Sequence, residues 1–290
     1  MIEGIAPPGS ADPRRLGPFR VHGVLGGGTL GPVYLGRGTP RPGLRKQTVA
    51  VRALRPELLR DRQLRARVRH ETGTTARHPG LPCVARALAC ELDGDLPWLA
   101  SEFAPGPTLG TVVREYGPLP EDAVRALGGA LCGALAALHA AGLAHRDLRP
   151  GNVLLAADHP RLLDSGLRPG GAGPAEDDEA AGPADDMFEL GVVLAHAASA
   201  RLPFHGSVLP ATRESPDLTG VPEGLHPALL ACLHKEPGSR PAPGPLGRLL
   251  DLGDQGERPA AEWLPEHCRH EIDVHAARVR ALLPRGLFRR

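Results

Sequence analysis

Short runs of alternating apolar and polar residues occupy the chain from Phe19 to about Leu99: "FRVHGVLG", "GPVYLGRG", "QTVAVRAL", "VARALACEL" and "PWLASEF". Turns rich in Gly and Pro separate them. A period of two marks half-buried strands, so five strands are predicted here. The charged segment among them, "PELLRDRQLRARVRHETG", reads as a helix with Leu58, Leu64 and Val68 facing inward. Gly73 followed by Thr74 and Thr75 predicts a weak end for that helix.

After "EFAPGPTL" the character changes to long Ala- and Leu-rich periodic segments at Pro120 to Ala141, Met187 to Ala200 and Leu225 to His234, which predict helices. A small strand-rich lobe over 16–103 is therefore expected before a larger helical lobe over 104–250, with Ala104 to Gly106 as the hinge. Residues 1–15 are rich in Pro, Gly and Arg and read as a disordered leader. In the extension 251–290, "EIDVHAARVRALL" places Ile272, Ala276, Val279 and Leu283 on one helical face. Packing onto the lobe and docking of a partner both remain open for it.

Composition narrows the partners. Thirty-four basic residues stand against 33 acidic ones, a net charge of +1 with no long single-sign block, so neither nucleic acid nor an anionic membrane is indicated. Five scattered cysteines form no C-x-x-C pair, which argues against zinc or a redox centre. The run from Ala126 to His145 is rich in small residues and includes His139, which suits a buried helix better than a membrane span. A soluble, cytoplasmic protein is the expectation. Lysine occurs only at Lys46 and Lys235, so 32 of the 34 basic residues are arginine, and drift alone can put arginine where lysine is usual.

Candidate chemistry begins at "LGGGTLGPV", which sets Gly26, Gly28 and Gly31 in G-x-G-x-x-G spacing after Leu25 and before Val33. Glycines so placed let backbone N–H groups approach phosphates, although a chain with 37 glycines also produces such a pattern by chance. "VAVR" follows, then "HRDLRPGN" from His145 to Asn152, then "DSG" at Asp164 to Gly166. In that order these motifs resemble the signature set of the protein kinases, the bacterial Ser/Thr protein kinases in particular. The resemblance runs from about Leu16 to Leu250 and includes "DMFELG" at Asp186 and "EPGSRP" near its end.

The resemblance implies a two-lobed α+β fold with a small antiparallel β lobe. It also implies a nucleotide partner, ATP, with magnesium. Asp147 would accept the proton of the substrate hydroxyl, and Asn152 and Asp164 would hold the metal. Arg149 stands where some active members also carry arginine. Adenine would meet the backbone at Glu102 and Ala104 and lie between Val33 and Ala50. Arg52 takes the place of the phosphate-contacting strand lysine, whose helix partner would be Glu71.

Three departures predict weak or lost phosphoryl transfer, that is, a regulatory pseudokinase. Arginine's planar fork favours a bidentate carboxylate, so Arg52 is expected to commit to Glu71. Ser165 replaces a phenylalanine that packs between the lobes, so looser lobe alignment is expected. Only 21 residues separate Asp164 from Asp186, with no Ser, Thr or Tyr from Gly166 to Ala198, and Arg240 is expected to lack its glutamate partner. "EDDE" at Glu176 to Glu179 is either a solvated acidic loop or a fixed negative charge for Arg146. An active Ser/Thr protein kinase and a small-molecule kinase are the alternatives, and the protein substrate or partner is not legible.

Overall fold

The computed structural model describes residues 5–78, 80–165, 167, 181–204, 215–250 and 259–283. The small lobe is a six-stranded antiparallel sheet in the order β1-β2-β3-β4-β6-β5, formed by β1 (Arg15–Leu16), β2 (Phe19–Gly28), β3 (Gly31–Gly38), β4 (Gln47–Ala53), β5 (Ala87–Glu91) and β6 (Trp98–Glu102). All five expected strands are present. Alternation along β4 sends Val49 and Val51, both fully buried, into a core with Phe19 and Trp98. Ala50 and Arg52 are thereby turned to the other face.

Helix α1 (Arg62–Arg77) packs on β5. Its start is capped by the Asp61 carboxylate, which accepts from the amides of Gln63 at 2.8 Å and Leu64 at 3.2 Å. The weak end expected at Gly73 does not materialise. Thr72 and Thr75 donate back to the carbonyls of Val68 and Glu71, and Thr75 also to Ala87, so burial against the sheet outweighs poor propensity.

The large lobe holds α2 (Leu109–Tyr116), α3 (Glu121–Ala140), α4 (Ala181–Ser199), α5 (His226–Cys232) and α6 (Pro243–Leu249) around one apolar core. Helix α3 is long and apolar enough to cross a membrane, yet most of its apolar stretch is buried within this lobe. A two-stranded sheet of β7 (Val153–Leu154) and β8 (Arg161–Leu162) lies beneath the cleft. Helices α7 (Ala260–Trp263) and α8 (Glu266–Leu282) complete the described chain.

One segment departs from expectation, and for another the structure decides between the two readings left open. Residues from Ile5 onward, expected in a disordered leader, are ordered against the small lobe. Ala6 and Val24 exchange two backbone hydrogen bonds of 3.0 and 2.8 Å, and Tyr34 donates to Asp12 at 2.9 Å. Helix α8 packs on both lobes: Cys268 and Ile272 enter the large-lobe core, while Val279 and Leu283 bury against Leu35 of β3.

Candidate functional site

A cavity of about 390 Å³ opens between the lobes, within the size range of small-ligand sites. Its roof is the turn joining β2 to β3, with Gly26 and Gly28 beside Leu25, and its upper wall carries Val33, Ala50 and Arg52. Gly31 does not line the cavity, but it has a structural reason to be glycine. Its φ is +128°, and a Cβ there would lie 2.0 Å from the Ala53 carbonyl oxygen.

Below the cavity, one buried carboxylate organises the loop from His145 to Asn152. Asp186, fully buried on α4, accepts from the backbone amides of His145 at 2.8 Å and Arg146 at 2.7 Å and bonds the His139 ring at 2.8 Å. Glu189, one turn on, accepts from the Leu148 amide at 2.7 Å. The fixed loop holds Arg146 at φ 64°, a left-handed conformation that is costly for such a residue and concentrates at functional loops. The His145 ring bonds the Leu163 carbonyl at 2.9 Å, and burial lowers its pKa, so it is a neutral strut.

Asp147 and Asn152 come together on this loop. The Asn152 amide nitrogen donates to the Asp147 carbonyl and to its Oδ2, each at 2.8 Å, and Arg149 Nε lies 3.3 Å from the same Oδ2. Arg149, Asn152 and Asp164 line the cavity. With its nitrogen committed to Asp147, the Asn152 amide presents its oxygen elsewhere. Asn152 and Asp164 thus supply hard oxygen donors suited to magnesium, which keeps waters or phosphate oxygens as its other ligands. Among the described residues no cluster of three His, Cys, Asp or Glu offers an all-protein metal cage.

The expected pair of Arg52 with Glu71 is absent. Arg52 instead forms an ion pair through Nη2 with Asp164 and donates through Nη1 to the Gly31 carbonyl at 3.1 Å. Strand β4 aims Arg52 along the cleft, whereas α1 turns Glu71 beneath it, outside the cavity lining. Glu71 is buried, and loss of hydration pushes its pKa up to about 7, with Arg146 pulling down and Asp186 pushing up. The Ser165 hydroxyl is near enough to favour the charged carboxylate slightly. No hydrogen bond of good geometry closes between them, however, and Ser165 Oγ and Glu71 Oε2 are both buried without a partner among the described residues.

The looser lobe packing expected from Ser165 is also corrected. Leu167, two residues on and 2 % exposed, joins Leu64, Val68 and Leu99 in the cluster beneath α1. A neighbouring side chain therefore occupies the apolar interface that a serine cannot fill. Arg240 pairs with an aspartate in place of the glutamate it was expected to lack. Its Nη1 meets Asp185 Oδ1 at 2.9 Å and the Ala184 carbonyl at 3.0 Å, and its guanidinium lies 4.9 Å over the Phe188 ring. This follows because α4 begins at Ala181, earlier than Met187 as expected, and brings Asp185 to it. Residues 168–180, including "EDDE", and Gly166 lie outside the described residues.

At the hinge, Glu102 and Ala104 line the cavity, and the Glu102 carboxylate is ion-paired with Arg86. Gly106 packs so tightly that a Cβ would lie 1.9 Å from the Leu155 carbonyl oxygen. Sequence reasoning missed the outer wall of the cavity, where Ile5, Thr108, Thr111 and His275 stand. Thr108 carried a readable signal as the N-cap of α2, its hydroxyl accepting from Thr111 N at 3.2 Å. Nothing local marked Ile5 or His275.

Comparison with known proteins agrees with this geometry. The sequence family described as "Protein kinase domain" matches residues 19–169. The serine/threonine-protein kinase AfsK of Streptomyces coelicolor is 36 % identical over 284 residues, covering 88 % of this chain and 35 % of that protein. The probable serine/threonine-protein kinase PkwA of Thermomonospora curvata is 36 % identical over 290 residues, covering 92 % of this chain and 37 % of that one. The chain thus spans about a third of the length of these relatives. The crystal structure of the Mycobacterium tuberculosis PknI kinase domain superposes with a TM-score of 0.65 at 25 % identity, covering 83 % of this chain and 96 % of that one.

Proposed function

Since the chain belongs to the protein kinase family, in its bacterial Ser/Thr branch, we propose that it is a working kinase domain that transfers the γ-phosphoryl group of ATP to a protein serine or threonine. The observation that carries this reading is the pairing of Asp147 with Asn152 on a loop locked by Asp186, below a cavity lined by Arg52 and Asp164. Asp147 would accept the proton of the attacking hydroxyl as the hydroxyl oxygen bonds to the γ-phosphorus and the bond to the bridging oxygen breaks, releasing ADP. Arg149 orients that carboxylate. Asn152 and Asp164 would hold magnesium, which neutralises charge on the phosphates when bound. Arg52 lies along the same wall as a cation for the phosphate end, and Val33 and Ala50 flank the adenine beside the Glu102 and Ala104 backbone.

An active kinase is supported better than the regulatory pseudokinase expected above. The relatives are described as serine/threonine-protein kinases. Arg52 is not diverted to Glu71, and Leu167 supplies packing that Ser165 lacks.

The test uses purified chain, magnesium and γ-labelled ATP, with the chain itself and a generic basic protein as acceptors. Asp147→Asn is expected to lower transfer by about 10²- to 10⁴-fold while the nucleotide-induced thermal shift persists. Undiminished transfer by that variant, or no nucleotide shift in the wild type, would overturn the reading.

A further inference from the structure

Helix α8 lies beyond residues 19–169, the stretch matched by the kinase family, yet it reaches the nucleotide cleft. Its first half belongs to the large lobe: Cys268 and Ile272 enter that core, His267 stacks on Tyr116 of α2 at 4.7 Å, and Tyr116 donates to Glu271 at 2.7 Å. Its second half belongs to the small lobe. Val279 and Leu283 bury with Leu35, and Leu25, Phe103 and Ile5 pack around them. Gly23 of β2 sits so close beneath Leu282 that a Cβ would meet its Cδ1 at 2.8 Å.

Between these two anchorages, His275 faces the cavity. It is 9 % exposed, and its Nδ1 has no hydrogen-bond partner among the described residues. Burial lowers its pKa, against the pull of Glu271, the Gly106 carbonyl and Glu115 and with the push of Arg278, so the ring is neutral near pH 7 and offers one donor and one acceptor. Nδ1 is closed off from the cavity, so Nε2 is the ring nitrogen that a ligand there can reach.

Its position along the cavity says which part of a ligand it meets. The phosphate end is defined by Arg52, Asn152 and Asp164, and the base edge by the backbone from Glu102 to Ala104. The Gly106 carbonyl lies beside the His275 ring, which sets it just past the hinge, near Thr108 and Thr111 in sequence, and all three line the cavity. A sugar joining base to phosphate passes along that part of the cavity, and its hydroxyls are the groups that can pair with a neutral imidazole.

We propose that α8 is a working wall of the nucleotide cleft, with His275 hydrogen-bonding the ribose of the bound nucleotide while the helix ties the two lobes together across the hinge. This rests on the nucleotide reading above. One net hydrogen bond of this kind corresponds to about three- to tenfold in affinity.

The experiment is calorimetric titration of the full chain with magnesium and a non-hydrolysable ATP analogue, and separately with adenosine and with adenine. His275→Phe keeps a ring of similar size without the polar atoms, and His275→Gln keeps a donor and an acceptor; thermal unfolding without ligand checks that each is folded. His275→Phe is expected to weaken the analogue and adenosine by about three- to tenfold and to leave adenine unchanged, with His275→Gln retaining most of the affinity. Unchanged analogue binding by folded His275→Phe would overturn the inference alone, as would an equal loss for adenine. No binding by the wild type would overturn the nucleotide reading and this inference with it.

Discussion

Replacing Glu71 by glutamine should stabilise the protein at alkaline pH and do so far less at acid pH. Glu71 is buried, its Oε2 has no partner among the described residues, and its pKa rises from 4.5 to about 7, chiefly by loss of hydration. Between those two values the folded chain keeps a proton that the unfolded chain has lost. Stability therefore falls as pH rises through this window and stays at its lower level above it. A shift of this size corresponds to about 3 kcal/mol at pH 8.5 and under about 1 kcal/mol at pH 5. Urea unfolding of wild type and Glu71→Gln at both pH values measures the difference, and subtraction cancels every group the two proteins share. An increase of about 2 kcal/mol or more in the variant's advantage between pH 5 and pH 8.5 is expected. A difference that stays flat across that range would refute the reasoning, and would mean that Glu71 is ionised in the folded state with a cation satisfying it.

Arg52→Lys should lower phosphoryl transfer by about tenfold, because one ammonium cannot span both the Gly31 carbonyl and Asp164, and a charge-assisted hydrogen bond is lost. A steady-state rate at or above wild type would contradict it. Gly106→Ala forces a methyl group into the Leu155 carbonyl, which is backbone and cannot move aside cheaply. Denaturant unfolding should show a loss of about 1–3 kcal/mol, and an unchanged midpoint would show that the hinge has slack.

Much of the fold was legible in the chain because the relevant physics is local. Alternation in "QTVAVRAL" both announces a strand and decides that Val49 and Val51 face one side and Ala50 and Arg52 the other. The spacing of "HRDLRPGN" places Asp147 and Asn152 within hydrogen-bond reach on one loop. Helix α2 escaped notice because eight residues hold too few apolar repeats to show a period. The end of α1 was misread because propensity is weak beside burial and back-bonding threonines.

What the sequence by itself determined, then, was the order of elements, and it named the candidate residues for the chemistry, from Leu25 through Asp164. What only the tertiary structure decided was which of them meet. Arg52 and Asp164 are separated by 112 positions, and their pairing depends on how two lobes close rather than on any spacing. The same is true of Asp186 beneath His145 and Arg146, of Leu167 beneath α1, and of Asp185 beside Arg240. His275 is the extreme case: its helix read only as amphipathic, and its place in the cleft follows from where α8 lands after every other element has packed. Contacts across a fold are chosen by the sum of burial and geometry over the whole chain, and no local pattern records that sum.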